Sequence, residues 1–360
     1  MRGSLRCLAV FWICVIVLIG GCSKSSEEAS EAITWRIALE EVEGSVQDAY
    51  AREFKKRMAE RSKGRIHVEI YPYGTLGTSP QLTELVQAGA LDLTFASPGH
   101  LASVIPEVGV FTLHFVFSDD NQINKQVLAS EPVREILSSA YQEQGLELIG
   151  IVPEGWMAWT ADKALTSPAD FEGLKIRTMT SPILIKTYEA YGANPTPLPY
   201  SEVYSGLQLG QIDGQVNPIF AIEEMSFYEE QDVMTLARHA QFVSTLVASS
   251  QWYASLPPEQ LAWFNGVVAD MVDWIYQKQE TFNQKRLNII KQAGGTEVVE
   301  LTDTQREAFR QASMGVRQVY IEQAGARGEK LLDAIRAQIE NHEAESRIEP
   351  MTESRLSTNR

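Results

Sequence analysis

The sequence predicts an α/β protein with mainly parallel, doubly wound sheet, built as two domains. Three observations carry this. Short apolar runs and helical patterns follow one another as strand–helix–strand–helix–strand over residues 34–96, an order that favours parallel strands joined by crossovers. A second unit of the same kind begins near residue 156. The 360 residues also exceed one ordinary domain, and 44% hydrophobic content is enough to build real cores rather than a disordered chain.

The elements follow in order. Residues 34–39 read as a first strand. Ser45 caps a helix whose apolar face is Val46, Tyr50, Phe54 and Met58, stopped by Gly64. Ile66, Val68 and Ile70 alternate as a second strand. Ser79-Pro80 opens a helix through Gln87 that Gly89 closes, and residues 91–96 form a third strand. One helical pattern runs over 119–144, then a strand over 146–152. The second unit has strands at 175–179, 194–198 and 214–217 and helices at 182–191 and 202–209. Gly192 and Gly210 stand just past those two helices, where glycine closes a helix in the left-handed conformation. A strand at 243–249 precedes one long helix over 257–293, with Leu261, Phe264, Val268, Met271, Ile275 and Phe282 on one stripe. Two more helices are expected at 303–323 and 328–345, and a polar, disordered tail follows.

The formal charge of −16 is spread without long blocks, which excludes a nucleic-acid groove and its basic stripe. Arg2 and Arg6, an apolar run over 8–19 and Gly20-Gly21-Cys22 predict a targeting segment. The small residues before Cys22 resemble a bacterial lipobox, so Cys22 is either the lipidated first residue of the mature chain or incidental to a plain secretory signal. Cys7, Cys14 and Cys22 are the only cysteines, so the folded part is expected to hold no disulfide and no cysteine metal site. The Ser/Glu-rich residues after Cys22 read as a polar tether.

No nucleophile elbow, phosphate loop, dinucleotide fingerprint or zinc signature occurs. The five histidines are scattered without ligand spacing. No catalytic residues, cofactor or metal are therefore expected. Binding has more to stand on, in the stretch 171–220. In an open α/β sheet, ligands sit beyond the carboxyl ends of the strands, and Arg177, Tyr200 and Asn217 all fall at such ends. A guanidinium matches a carboxylate through two parallel hydrogen bonds. Arg177 is thus either a ligand anchor or a partner in a structural salt bridge, and Asn217 either an amide donor or a turn residue.

Several ordered blocks resemble the extracytoplasmic solute receptors of TRAP transporters. They are Gly173-Leu174-Lys175-Ile176-Arg177, Pro197-Leu198-Pro199-Tyr200-Ser201-Glu202-Val203-Tyr204 and Asp213-Gly214-Gln215-Val216-Asn217-Pro218, with Tyr73-Gly74-Thr75-Leu76-Gly77 and Gln87-Ala88-Gly89-Ala90-Leu91-Asp92. The resemblance runs over roughly residues 35–340. It implies a two-lobed periplasmic-binding-protein-like α/β fold with discontinuous lobes and a long hinge helix, placed at 257–293. The implied division is a signal peptide at 1–21, a tether at 22–33, lobe I at 34–155 plus about 242–280, lobe II at 156–241 plus about 281–345, and a disordered tail at 346–360.

Within that family, Trp35-Arg36, Glu40-Glu41, Pro153-Glu154-Gly155 and Asn217-Pro218-Ile219-Phe220 resemble the ectoine-binding branch. The resemblance implies that Arg177 grips the ligand carboxylate, Asn217 assists, and Glu41 holds a cationic nitrogen. Tyr200, Phe220, Phe242 and His100 form the walls. His100 falls where the branch stacks an aromatic ring, and Met157 where many acid-binding relatives carry a second arginine. An uncharged Met157 suits a zwitterion or monoacid. The implied function is a monomeric receptor, anchored to the membrane only by lipid, that delivers a small carboxylate or zwitterion to TRAP permease subunits. An ectoine-like compatible solute is favoured. The alternative is a receptor for another organic acid that feeds a chemosensory or two-component partner.

Overall fold

The structure, a computed structural model, describes residues 32–357, with side-chain surroundings through residue 346. The expected signal peptide and Cys22 lie outside the described residues. The strands are β1 (Ile33–Ala38), β2 (Ile66–Tyr71), β3 (Leu93–Ala96), β4 (Leu146–Ala161), β5 (Lys175–Thr178), β6 (Asn194–Pro197), β7 (Gly214–Pro218), β8 (Val233–Leu236), β9 (Gln241–Ser249) and β10 (Glu297–Glu300). They join in the order β2-β1-β3-β9-β4-β7-β5-β6, with β8 added to β4 and β10 to β8. The wings are parallel, as the strand–helix alternation requires. The centre is not: β9 runs antiparallel to β3 and β4, and β4 antiparallel to β7 and β8. The sheet is therefore mixed.

Local chemistry explains the first unit. Ser45 Oγ accepts from the Asp48 N–H at 3.0 Å and starts the helix Val46–Arg61. Val46, Tyr50, Phe54 and Met58 are each at most 3% exposed and carry its contact with the core around Trp35, Phe95 and Phe264. The next helix spans Ser79–Gln87, with Thr78 as its cap.

β4 is longer than the sequence predicts. It runs sixteen residues, and its first part pairs with β9, its last five residues with β7. This strand carries the chain from one parallel wing to the other. The register shifts between Pro153 and Gly155, and Gly155 has φ +131°, open to glycine and strained for other residues. Asn283 of the long helix locks the bend. Its Nδ2 donates to Glu154 O at 2.7 Å, and its Oδ1 accepts from the Phe220 N–H at 3.1 Å. A Cβ at Gly155 would collide with that amide. Gly155→Ala is expected to cost about 2 kcal/mol or more, from the strained φ and the clash together. Urea unfolding measures it, and a loss below about 0.5 kcal/mol would contradict the packing described.

The long helix is Pro258–Ala293. Phe264, Val267, Met271 and Ile275 join the core of the first wing, while Leu287 and Ile290 join that of the second with Val203 and Phe227. One helix therefore spans both cores.

Several boundaries differ from expectation. The pattern over 119–144 is two helices, Asn121–Ala129 and Glu131–Gln142. Ser130, directly before Glu131-Pro132, is extended at ψ 142° and caps the second. The C-terminal helices are Asp303–Ser313 and Val316–Ser357, the latter interrupted at Gly325 (φ 64°). The last helix continues through Ser357, past the point, 346, from which a disordered tail was expected. The placement of all of 281–345 in the second lobe also needs correction. Phe309 packs with second-wing residues, but Tyr320, Leu331 and Ile335 pack with Val127 and Leu137 of the first. Tyr320 Oη fixes this by donating to Glu107 O at 3.0 Å. Strands β8 and β10, of four residues each, were not read from the sequence; in β10, Glu297 and Glu300 bracket two valines at the edge.

Candidate functional site

The carboxyl ends of β1, β3, β5 and β7 face one small cavity of ≈ 30 Å³. Glu40 and Glu41 follow β1, Ser97 and His100 follow β3, Arg177 and Met179 end β5, and Asn217 sits near the end of β7. A larger groove of ≈ 540 Å³ lies along the long helix beside Trp156 and Arg238. It holds none of the convergent carboxylates described below, so size is not a guide here.

Arg177 is 1% exposed. Its Nε and Nη2 both donate to Leu198 O, at 3.1 and 2.9 Å. Among the described residues no carboxylate forms an ion pair with it, and Nη1 has no protein partner. The salt-bridge alternative is thereby removed. Burial pulls its pKa down to about 10, so the group stays charged at neutral pH. A buried cation without a counter-ion is costly, and an anion arriving in the cavity would remove that cost.

Acids gather at the same cavity, Glu40 and Glu41 in its lining and Glu154 behind them on Gln47. Glu40, Glu41 and Glu154 are 7%, 6% and 0% exposed. Gln47, at the start of the first helix, organises all three. Its Oε1 accepts from the Glu40 N–H at 2.8 Å, its backbone N–H donates to Glu41 at 3.2 Å, and its Nε2 donates to Glu154 at 3.1 Å. Ser97 N–H donates to Glu40 Oε2 at 2.7 Å, and Ser244 Oγ donates to Glu154. Burial raises Glu40 to about 8. Burial and then the neighbouring Glu154 charge push Glu41 well above the usual carboxyl range, and burial raises Glu154 as well. Glu224, nearby, is pushed up to about 8 by burial although Arg286 opposes this. Burial thus favours the protonated form of these acids, and a cation placed against them would favour the ionised form.

This has a consequence for stability. Glu40 and Glu224 bind protons in the folded state that the unfolded chain, at about 4.5, has released. Their effect is to lower stability as pH rises from about 4.5 to about 8. His100 and His114 are lowered by burial to about 4 and about 3 from 6.5, so they raise stability with pH through 6.5, an effect that fades by about a unit above it. Between about pH 7 and 8 the carboxyl effect dominates. Thermal melts of the ligand-free protein are expected to show a falling Tm over that interval, and Glu40→Gln should flatten the slope. A rising Tm would contradict the protonated wall.

Asn217 is 6% exposed, and its Nδ2 donates to Gln215 Oε1 at 2.5 Å. Gln215 donates onward to Thr160, and Thr160 to Gln231, each at 2.9 Å. This chain fixes the amide at the cavity wall. The Tyr200 ring stands edge-on to Tyr73 and Phe227, with centroids 5.9 and 5.8 Å away, and its buried hydroxyl has no partner. His100 shares a 3.3 Å hydrogen bond with Thr180, and is held neutral by burial and the Arg177 charge. Phe242 lines the cavity from β9.

Two expected wall residues are elsewhere. Phe220 is fully buried in the first-wing core and packs on Phe282; two residues past the strand end, it lies in the short helix Ile219–Glu224. Met157 pairs with Pro218 in the sheet and points to neighbouring cavities instead. Conversely, Glu40, Gln47 and Ser97 line the cavity and Glu154 stands behind them on Gln47, although none had been given a role in the site. The available signal for Glu154 was a carboxylate inside an otherwise apolar strand run, next to a glycine. Gln47 carried none, because a polar residue one place into a helix normally faces water.

Two lobes bridged by crossing strands and one long helix, with an unpaired arginine and buried acids facing one cleft at the strand ends, define a solute-binding receptor. The chain matches the family described as bacterial extracellular solute-binding protein, family 7, over residues 38–323, and belongs to it. It is 37% identical to the ectoine-binding periplasmic protein TeaA of Halomonas elongata over 91% of this chain and 96% of that protein. It is 34% identical to the ectoine/5-hydroxyectoine-binding periplasmic protein UehA of Ruegeria pomeroyi over 90% and 95%. Among solved structures, a TRAP periplasmic solute-binding protein of Marinobacter aquaeolei in an apo open form superposes with a TM-score of 0.81 at 46% identity, covering 84% of this chain and 99% of that one. The protein is thus a TRAP-type solute receptor and not an enzyme. Among the described residues no group of His, Cys, Asp or Glu is arranged to hold a metal, and no helix is long and apolar enough to cross a membrane.

Proposed function

We propose that this receptor captures a small zwitterion, an ectoine-like compatible solute, and delivers it as a monomer to the membrane permease of a TRAP transporter. One observation carries the reading: a buried Arg177 with no protein carboxylate and a buried Glu41 line the same cavity. A carboxylate answers the first and a delocalised cation the second, and a dicarboxylate would answer only one. Asn217 holds a carboxylate oxygen or a hydroxyl, while Tyr200, Phe242 and His100 close around the ring. Closure of the lobes then removes water and strengthens each of these contacts. The ectoine-binding relatives support the choice of ligand class.

A second reading is favoured by the protonation of the acidic wall. Neutral carboxyls hydrogen-bond hydroxyls well, so a hydroxylated organic acid, feeding a signalling partner instead of a permease, is the alternative. A thermal-shift screen of ectoines, betaines and sugar or keto acids separates them. The zwitterion reading expects ectoine to raise Tm by several degrees at millimolar concentration through simple mass action. Stabilisation by sugar acids alone would favour the second reading. Lipidation at Cys22 remains part of the proposal, and intact-mass analysis of the membrane fraction tests it.

A further inference from the structure

Behind the ligand cavity lies a second, smaller one of ≈ 20 Å³, with Met179 and Phe242 in the walls of both. Two imidazoles meet there. The His114 and His239 ring centroids are 4.4 Å apart, and His239 stacks on Trp159 at 4.2 Å. His114 Nδ1 is occupied by Tyr191 Oη at 2.7 Å. Gln241 Nε2 is occupied by Asn121 Oδ1 at 2.9 Å. That leaves His114 Nε2, both nitrogens of His239 and Gln241 Oε1 buried without a partner, on side chains 4%, 1% and 1% exposed. Buried polar atoms are almost always hydrogen-bonded, so four orphans beside one cavity call for a guest.

The chemistry of that guest is narrow. No carboxylate lines the cavity, so an ammonium has no counter-charge; both rings are held neutral by burial, so a carboxylate has none either. Neutral imidazoles and an amide oxygen offer both acceptors and donors. The space suits one atom of water size. We propose that the His114–His239–Gln241 cavity is a polar subsite of the ligand pocket that holds one neutral hydroxylic oxygen, supplied by water or by a hydroxyl of the bound solute. In the second case Met179 and Phe242 yield and the subsite selects hydroxylated over unhydroxylated ligands. That case rests on the zwitterion reading above.

The test has two arms. A high-resolution crystal structure of the ligand-free protein should show an oxygen within hydrogen-bond distance of both imidazoles; a dry cavity overturns the proposal. Calorimetry with ectoine and with 5-hydroxyectoine then assigns the source. If the solute supplies the oxygen, the wild type prefers 5-hydroxyectoine by about tenfold or more. His239→Phe removes that preference while ectoine still binds, and His239→Gln, which keeps a hydrogen-bonding group, restores part of it. Equal affinities with the oxygen present assign it to water. If neither compound binds the wild type, the ligand reading fails, and the crystal structure alone still decides whether the subsite exists.

Discussion

Arg177→Ala is expected to abolish binding of any carboxylate solute, a loss of about 3 kcal/mol or more, or upward of about a hundredfold in Kd. Two facts set this size. The guanidinium is 1% exposed and has no protein carboxylate, so its charge is answered by the ligand. Two of its nitrogens are held by Leu198 O, so its plane is fixed before the ligand arrives and little entropy is lost on binding. Arg177→Lys should not rescue, since one ammonium cannot hold Leu198 O and form a planar fork together. The empty Arg177→Ala protein should remain folded, because removing an unpaired buried charge relieves a desolvation cost. Isothermal titration with a screen-derived ligand measures the loss, and wild-type-like affinity would refute the anchor role.

The second large effect concerns Glu41. Burial, and then the neighbouring Glu154 charge, push its carboxyl well above the usual range and so favour the protonated form. A cation placed against it stabilises the carboxylate, so capture releases a proton. Affinity should therefore rise with pH until Glu41 is ionised without ligand, and level off above that. Titrations near pH 7 in two buffers of different ionisation enthalpy should report release, not uptake. Glu41→Gln is expected to weaken a zwitterion by about 2 kcal/mol, the scale of a hydrogen bond to a charged group, and to abolish the proton release. A hydroxy acid without a cationic group would show neither effect, so this experiment also discriminates between the two functional readings.

Much of this was legible in the residues themselves. Ser45, the four-residue spacing of Val46 to Met58, and the glycines after the second unit's helices report local physics, and those helices form where that chemistry puts them. Arg177 was recognisable as a cation at a strand end, but its alternatives could be separated only by seeing what stands near it in space. The antiparallel centre was hidden, since β9 reaches β4 and β3 from across the chain. The same limit explains the acidic wall. Gln47 touches Glu154 from 107 positions away, and no local pattern marks such a partner. Phe220 shows the reverse error, for an aromatic beside a site residue can as well fill the core.

The most direct measurement is a crystal structure grown with a carboxylate solute that stabilises the protein. The account predicts the carboxylate on Arg177 and Asn217, the solute's cationic nitrogen on Glu41, and the ring between Tyr200 and Phe242. A solute bound instead in the groove beside Trp156 and Arg238, with the Arg177 cavity unfilled, would contradict it.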